Sequence, residues 1–177
     1  MIRITIILCT YNGEEFIKDQ LKSLERQTFK PEKILIYDSN SKDKTKRIIE
    51  DFIRNSKILT KLYELPFSGS VAKSFKSAIT HSYKNNLLGD YIALCDQDDL
   101  WKLNKLEIFK NTIEKFPKEK PICFFSDVEL IDKYSALINK SRYSSSLFFN
   151  QPNNINNAIL FANPCTGMSM IFSLDIA

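Results

Sequence analysis

The sequence predicts a single α/β domain in which a mostly parallel sheet is flanked by helices, and three observations carry that expectation. Short β-branched apolar runs stand at Ile4 to Leu8, Lys33 to Tyr37 and Tyr91 to Cys95, the pattern of central parallel strands covered on both faces. Apolar residues at helical spacing separate them, and strands alternating with helices imply right-handed crossovers. Each run also breaks into a polar cluster: Thr10-Tyr11-Asn12, then Asp38 to Asp43, then Asp96-Gln97-Asp98-Asp99.

In chain order, Ile4 to Leu8 is the first strand. After Asn12-Gly13, the positions Phe16, Ile17, Leu21 and Leu24 mark the first crossover helix, which Pro31 closes. Lys33 to Tyr37 is the second strand, and Ile48, Ile49, Phe52 and Ile53 form one face of the second helix. Residues 58 to 65 read as a third strand. Val71, Phe75, Ala78 and Ile79 give a third helical face, with Gly69 loosening the turn before it. Tyr91 to Cys95 is the fourth strand. Asn104 and Glu107 have the spacing of a capping box, opening a helix through Phe116 that Pro117 stops. Ile122 to Phe125, after Pro121, reads as a fifth strand. Beyond Asp127 the pattern turns irregular. It holds a short strand near Ala136 to Ile138, a polar stretch at 141 to 157 read as a loop over a site, and a last run at Met168 to Phe172.

Composition bounds the function. A chain of 177 residues, 44% apolar and 26% charged, suits one well-buried core. Net charge is +4, but the 25 Lys and Arg are scattered among carboxylates, which argues against a nucleic-acid partner. The mild basic excess favours phosphorylated ligands or an anionic membrane surface, within the roughly 8 Å that salt leaves unscreened. Cys9, Cys95, Cys123 and Cys165 form no CxxC pair and read as free buried thiols in a reducing compartment. The apolar start is too short for a signal peptide, and no stretch approaches the ~18 apolar residues of a membrane span. The expected location is cytoplasmic, with peripheral contact at the inner face of the membrane left open. His81 stands alone, with no serine or cysteine elbow at a strand end, so it reads as a surface helix residue rather than part of a triad or zinc site.

In a doubly wound sheet, ligands sit outside the carboxyl ends of the strands, near the point where strand order reverses. The three polar clusters are therefore expected to face one crevice. Asp96, Asp98 and Asp99 place three carboxylates within four residues. They repel one another, and a hard divalent ion, Mn²⁺ or Mg²⁺, bridging to substrate phosphates would remove that repulsion; a solvated acidic turn is the plainer alternative. Asp43 and Thr45 read as helix-capping residues. Trp101 has two readings, stacking on a sugar or packing in the core.

Taken in order, several segments resemble family 2 glycosyltransferases, in particular their rhamnosyltransferase-like branch. These are Cys9-Thr10-Tyr11-Asn12-Gly13-Glu14, Gln27-Thr28-Phe29, Asp38-Ser39-Asn40-Ser41-Lys42-Asp43-Lys44-Thr45, Cys95-Asp96-Gln97-Asp98-Asp99-Leu100-Trp101, Phe125-Ser126-Asp127 and Thr166-Gly167-Met168-Ser169-Met170. The resemblance implies a GT-A-like fold and transfer of a sugar, with inversion, from a nucleotide diphosphate donor linked to UDP or dTDP. The acceptor would be a saccharide or a lipid-linked chain, in surface polysaccharide synthesis. It also implies that Thr10, Tyr11, Asn12, Asp38, Ser39 and Asp96 bind the nucleotide, with Tyr11 against the base and Asp96 at the ribose. Asp98 would hold the metal, and Asp99, Trp101 and Asp127 would lie toward the sugar or acceptor.

Two departures qualify it. Family members carry two adjacent acids and a glycine where this chain has Asp38-Ser39-Asn40, so Ser39 puts the contact to the base in question, while Asn40 can take the left-handed conformation nearly as well as glycine. The family's catalytic base lies beyond the Thr-Gly-Met-Ser-Met segment, so residues 1–177 are expected to be an N-terminal portion. Glu129, Asp132 and Asp175 read as surface charges. A nucleotide-binding relative without turnover is the alternative function; a sugar-phosphate nucleotidyltransferase would need a Gly- and Arg-bearing loop after the first strand.

Overall fold

The computed structural model describes residues 1–117, 121–142 and 167–176. Among them, six strands form one sheet in the order β3-β2-β1-β4-β8-β5. The strands are β1 (Ile4–Thr10), β2 (Lys33–Asp38), β3 (Thr60–Glu64), β4 (Tyr91–Asp96), β5 (Cys123–Phe125) and β8 (Met170–Ser173). β6 (Leu130–Ile131) and β7 (Leu137–Asn139) make a separate antiparallel hairpin. The helices are α1 (Ile17–Glu25), α2 (Thr45–Asn55), α3 (Val71–Lys84) and α4 (Lys105–Ile113).

Burial on both faces explains why β1 is a continuous apolar run: all seven of its residues are buried. Alternate side chains point to opposite faces, so the core divides in two. Ile4, Ile6, Leu8, Ile34 and Ile36 pack with Leu21, Leu24, Ile49, Leu106 and Phe109, from α1, α2 and α4. Ile7, Cys9, Leu35, Tyr37, Ile92 and Leu94 pack on the opposite face with Phe75 and Ala78 of α3. The chain winds outward from β1 through β2 to β3, then returns through α3 to place β4 on the other side of β1. A right-handed return demands that α3 lie on the opposite face. The reversal between β1 and β4 creates the crevice.

Several expectations are corrected. Asn104 precedes α4 but makes no capping bond, and Glu107 instead accepts from Thr28 Oγ1 at 2.8 Å, so the spacing serves a contact to the end of α1. That helix stops at Ile113, short of Phe116. Cys9 and Cys95 are buried thiols, but Cys123 is exposed on the edge strand β5, and Cys165 and the stretch 143 to 157 lie outside the described residues. His81 is half-buried, its Nδ1 3.0 Å from Tyr37 Oη and its ring 4.9 Å from that of Tyr63. The last run is a 3₁₀ turn, Gly167–Ser169, followed by β8, which enters antiparallel between β4 and β5.

Gln27 explains one segment of the resemblance. Fully buried, its Nε2 donates to the carbonyls of Ser23 (3.1 Å) and Lys102 (2.8 Å), while its Oε1 accepts from Leu106 N (3.1 Å). It clamps the loop after β4 onto α1. Gln27→Ala leaves the buried N–H of Leu106 without its partner and removes two further bonds to part-buried carbonyls. It is expected to destabilise the protein by about 2–3 kcal/mol, read as a lower urea midpoint at unchanged slope.

Candidate functional site

The loops after β1 and β2 are folded around one carboxylate. Asp38, with no exposed side-chain surface, accepts from Thr10 Oγ1 (2.9 Å), Ser41 Oγ (2.5 Å) and Ser41 N (2.9 Å), and Lys46 Nζ stands 3.8 Å away. A buried carboxylate is tolerable only when so satisfied. Further along, Asn12 at φ 46° donates from its N–H to Ser41 Oγ and accepts Lys42 N at its side chain. Asn40 takes φ 65°, the left-handed turn expected of it. Gly13 N donates to Thr45 Oγ1 (2.8 Å), and Glu14 N to Asp43 Oδ2 (3.0 Å). Asp43 also accepts from Thr45 N at the start of α2, so the capping reading of Asp43 stands and that cap joins the two loops.

The loop after β4 completes the crevice. Gln97 pairs with the backbone of Tyr11 in both directions, accepting from Tyr11 N at 2.9 Å and donating to Tyr11 O at 3.1 Å. Its amide occupies the space where a side chain on residue 13 would begin, so any larger residue there would push Gln97 aside. The result is a pocket of about 480 Å³ at the carboxyl ends of β1 and β4. Thr10, Tyr11 and Ser39 line it on one side and Asp96, Gln97 and Asp98 on another. Phe67, Ser68, Gly69, Ser70 and Ser74 close it from the segment that opens α3. The rings of Tyr11 and Phe67 meet at 4.5 Å between centroids, both largely open to solvent.

Thr10, Tyr11, Ser39, Asp96 and Asp98 therefore come together as expected, whereas Asp38 and Asn12 do not line the pocket. Their hydrogen-bonding capacity is directed at the loops themselves. Phe67 and the serines at 68, 70 and 74 escaped the sequence reading. The available signal was an aromatic residue set in Pro66-Phe67-Ser68-Gly69-Ser70, just ahead of a helical pattern.

Asp98 also borders a second hollow of about 680 Å³, shared with Asp99, Trp101, Lys105, Asp127 and Met168 among others. Trp101 is 6% exposed and belongs to the core, with Lys105 Nζ 4.0 Å above its ring, so the packing reading is favoured. Lys105 also donates to the Met168 carbonyl at 2.6 Å, and burial lowers its pKa to about 8. Asp127 is exposed, accepts from Val128 N and Arg142 N, and is paired with Ser141 Oγ, so it organises the turn that carries it. Glu129 pairs with Lys102, and Asp132 accepts from Tyr134 N and Ala136 N.

Electrostatically the acidic loop is strained. Burial, then the charge of Asp98, raises Asp96 to about 6. Burial, then Asp96 and Asp98, raises Asp99 to about 7, and Asp99 Oδ2 is buried with no hydrogen-bond partner among the described residues. Adjacent carboxylates crowded enough to disfavour ionisation, one with an orphaned oxygen, are chemically suited to a hard divalent cation. Among the described residues no group of three acidic, His or Cys side chains could hold an ion. A cation here would share its coordination with ligand oxygens.

An aspartate raised above its unfolded value keeps a proton in the native state that the unfolded chain has released, so stability falls as pH rises through that window. For Asp96 and Asp99 it runs from about 4 to about 7. In metal-free buffer the thermal midpoint is expected to fall across it, and Asp99→Asn to flatten the fall. An equally steep fall in the variant would assign the effect to other groups.

Comparison with known proteins follows the same lines. The profile of Glycosyl transferase family 2 matches residues 5–174. The chain is 34% identical over 122 residues to dTDP-rhamnosyl transferase RfbG of Shigella flexneri, covering 68% of this chain and 40% of that protein. It is 31% identical over 106 residues to UDP-Glc:alpha-D-GlcNAc-diphosphoundecaprenol beta-1,3-glucosyltransferase WfgD of Escherichia coli, covering 59% of this chain and 38% of that one. It thus spans less than half the length of both relatives. S. aureus TarS in complex with UDP-GlcNAc superposes with a TM-score of 0.56 at 28% identity, over 64% of this chain and 32% of that chain. Mannosyltransferase PcManGT from Pyrobaculum calidifontis, solved with GDP-Man and Mn²⁺, shares the fold at a TM-score of 0.58 and 22% identity, over 75% of this chain and 37% of that chain. The sheet with its flanking helices is that of the GT-A glycosyltransferases, and the chain belongs to glycosyl transferase family 2.

Proposed function

We propose that this chain is the nucleotide-sugar-binding part of a metal-dependent, inverting glycosyltransferase that draws on a UDP- or dTDP-linked sugar. The observation that carries the reading is the pocket at the strand reversal, which brings an exposed aromatic pair, Tyr11 and Phe67, into one hollow with the carboxylates Asp96 and Asp98. A nucleoside diphosphate has matching parts: a flat base for the rings and a hydroxyl-bearing ribose for Asp96. Its charged diphosphate can reach the carboxylates only with a cation between. The names of the relatives support the donor class, since RfbG is a dTDP-rhamnosyl transferase and WfgD takes UDP-Glc.

Asp98, which borders both hollows, would hold the Mn²⁺ or Mg²⁺, with Asp99 beside it. When bound, the ion would offset the negative charge that grows on the departing diphosphate, favouring the transition state over the ground state. Asp38 acts at one remove, fixing the loops that present Tyr11 and Ser39. The sugar would then sit where the hollows adjoin, and a saccharide or lipid-linked acceptor would approach through the second. On this reading the chain serves surface polysaccharide synthesis at the cytoplasmic face of the membrane. No helix among the described residues is long and apolar enough to cross it.

The decisive experiment is calorimetric titration with UDP and with dTDP, each with and without Mn²⁺. Metal-dependent binding of either is expected, and no binding of either would refute the donor site. Asp98→Ala is expected to abolish the metal-dependent part of that affinity without altering the circular dichroism. Tyr11→Ala, in contrast, is expected to weaken binding about tenfold while the metal requirement persists, a loss in keeping with one stacked base.

A further inference from the structure

A polar stripe on α1 underlies the acidic loop. Gln20, Ser23 and Gln27 recur at three- and four-residue spacing, which puts them on one side of the helix and its end. Gln20 has no exposed surface and sits on the same helix as the core residues Ile17, Leu21 and Leu24, where an amide is costly unless satisfied. Its Nε2 donates to Cys95 Sγ, the residue of β4 directly before Asp96. Ser23 Oγ donates to Gln20, whose carbonyl and side-chain Oε1 lie 2.7 and 2.8 Å away, and accepts from Trp101 N at 3.1 Å. A serine within a helix commonly bonds back to the preceding turn; accepting a backbone N–H from 78 residues away serves a tertiary purpose. Cys95, Gln20, Ser23 and Trp101 thus form a bridge that closes the base of the segment 96–100. Within that segment Gln97 is fastened to Tyr11, so Asp98 and Asp99 lie between held points at 97 and 101.

We infer that Ser23 is a positioning residue for the metal site, fixing through Trp101 and Gln20 both ends of the segment that carries Asp96, Asp98 and Asp99. Ser23 lines neither hollow, so its effect passes through the loop backbone. A segment free to drift at its far end must be ordered when the ion binds, and that ordering weakens affinity for the ion in particular. The inference rests on the reading of Asp98 as the ligand that holds the ion.

UDP titrated into the chain at a series of fixed Mn²⁺ concentrations separates affinity for the ion from affinity for the nucleotide. Ser23→Ala is expected to weaken the ion by about tenfold or more, the range for groups that orient metal ligands, while metal-free UDP affinity is unchanged. Ser23→Thr keeps the oxygen that Trp101 N–H requires and is expected to restore the ion's affinity. Ser23→Cys, whose sulfur is a weak acceptor, is expected to fall between the two, and it carries the test if Ser23→Ala does not fold. Unchanged affinity for the ion in the alanine and cysteine variants would mean that the packing of Trp101 alone holds the loop, overturning the inference and leaving the donor site standing. Equal weakening of UDP with and without Mn²⁺ would overturn it as well, since that is general loosening. If the unmodified chain binds no UDP, or binds it without regard to Mn²⁺, the metal-site reading falls and the inference with it.

Discussion

Burying Asp38 is the constraint on which the site depends. A carboxylate with no exposed surface must have its oxygens met by donors, and here those donors come from the loop after β1 and from the loop that Asp38 itself begins. The two loops cannot move independently without stranding a charge. Through Ser41, Asn12 and Thr45 the same tie extends to the start of α2. Tyr11 and Ser39 stand on either side of this knot, so their positions are set before any ligand arrives. Pre-setting lowers the entropy lost on binding, which is a reason for polar residues to be spent on loop geometry rather than on contact.

Across the crevice the balance runs the other way. The loop after β4 crowds carboxylates that raise one another's pKa, and its relief comes from outside the acidic group: Gln97 grips Tyr11, Gln27 holds the following backbone, and Lys105 sits over Trp101. These clamps are neutral or cationic: Gln97 belongs to the loop itself, Gln27 and Lys105 to neighbouring elements. They hold the acids in place, and of them only Lys105 carries a charge that partly offsets Asp99. One side of the pocket is thus fully satisfied and the other deliberately short of a partner.

How much of this could be read from the sequence follows from where each feature gets its stability. β1, β2 and β4 were legible because strands covered on both faces need uninterrupted apolar residues, and the polar clusters at their ends fell where the crevice lies. Phe67 and the serines that line the pocket were not, because hydroxyls separated by up to 35 residues carry no periodicity. Asn104 and Glu107 matched a local motif but were claimed by tertiary partners. Asp38 was read as a nucleotide contact, and the structure shows its side chain buried among the loops, because a pattern marks a position without saying which way its side chain faces. His81, surface-like in sequence, is drawn in by Tyr37 and Tyr63.

The position of β8 bears on how the chain is made. It is the last strand in sequence among the described residues, yet it occupies an interior place in the sheet, hydrogen-bonded to β4 on one side and β5 on the other. Among the described residues, β4 therefore has no strand on that side, and β5 no strand to join, until Met170 to Ser173 is made. Such an edge is a template for strands of other chains. Among the described residues, closure of the sheet waits on this one late segment, and until it arrives the exposed edge is open to strands of other chains.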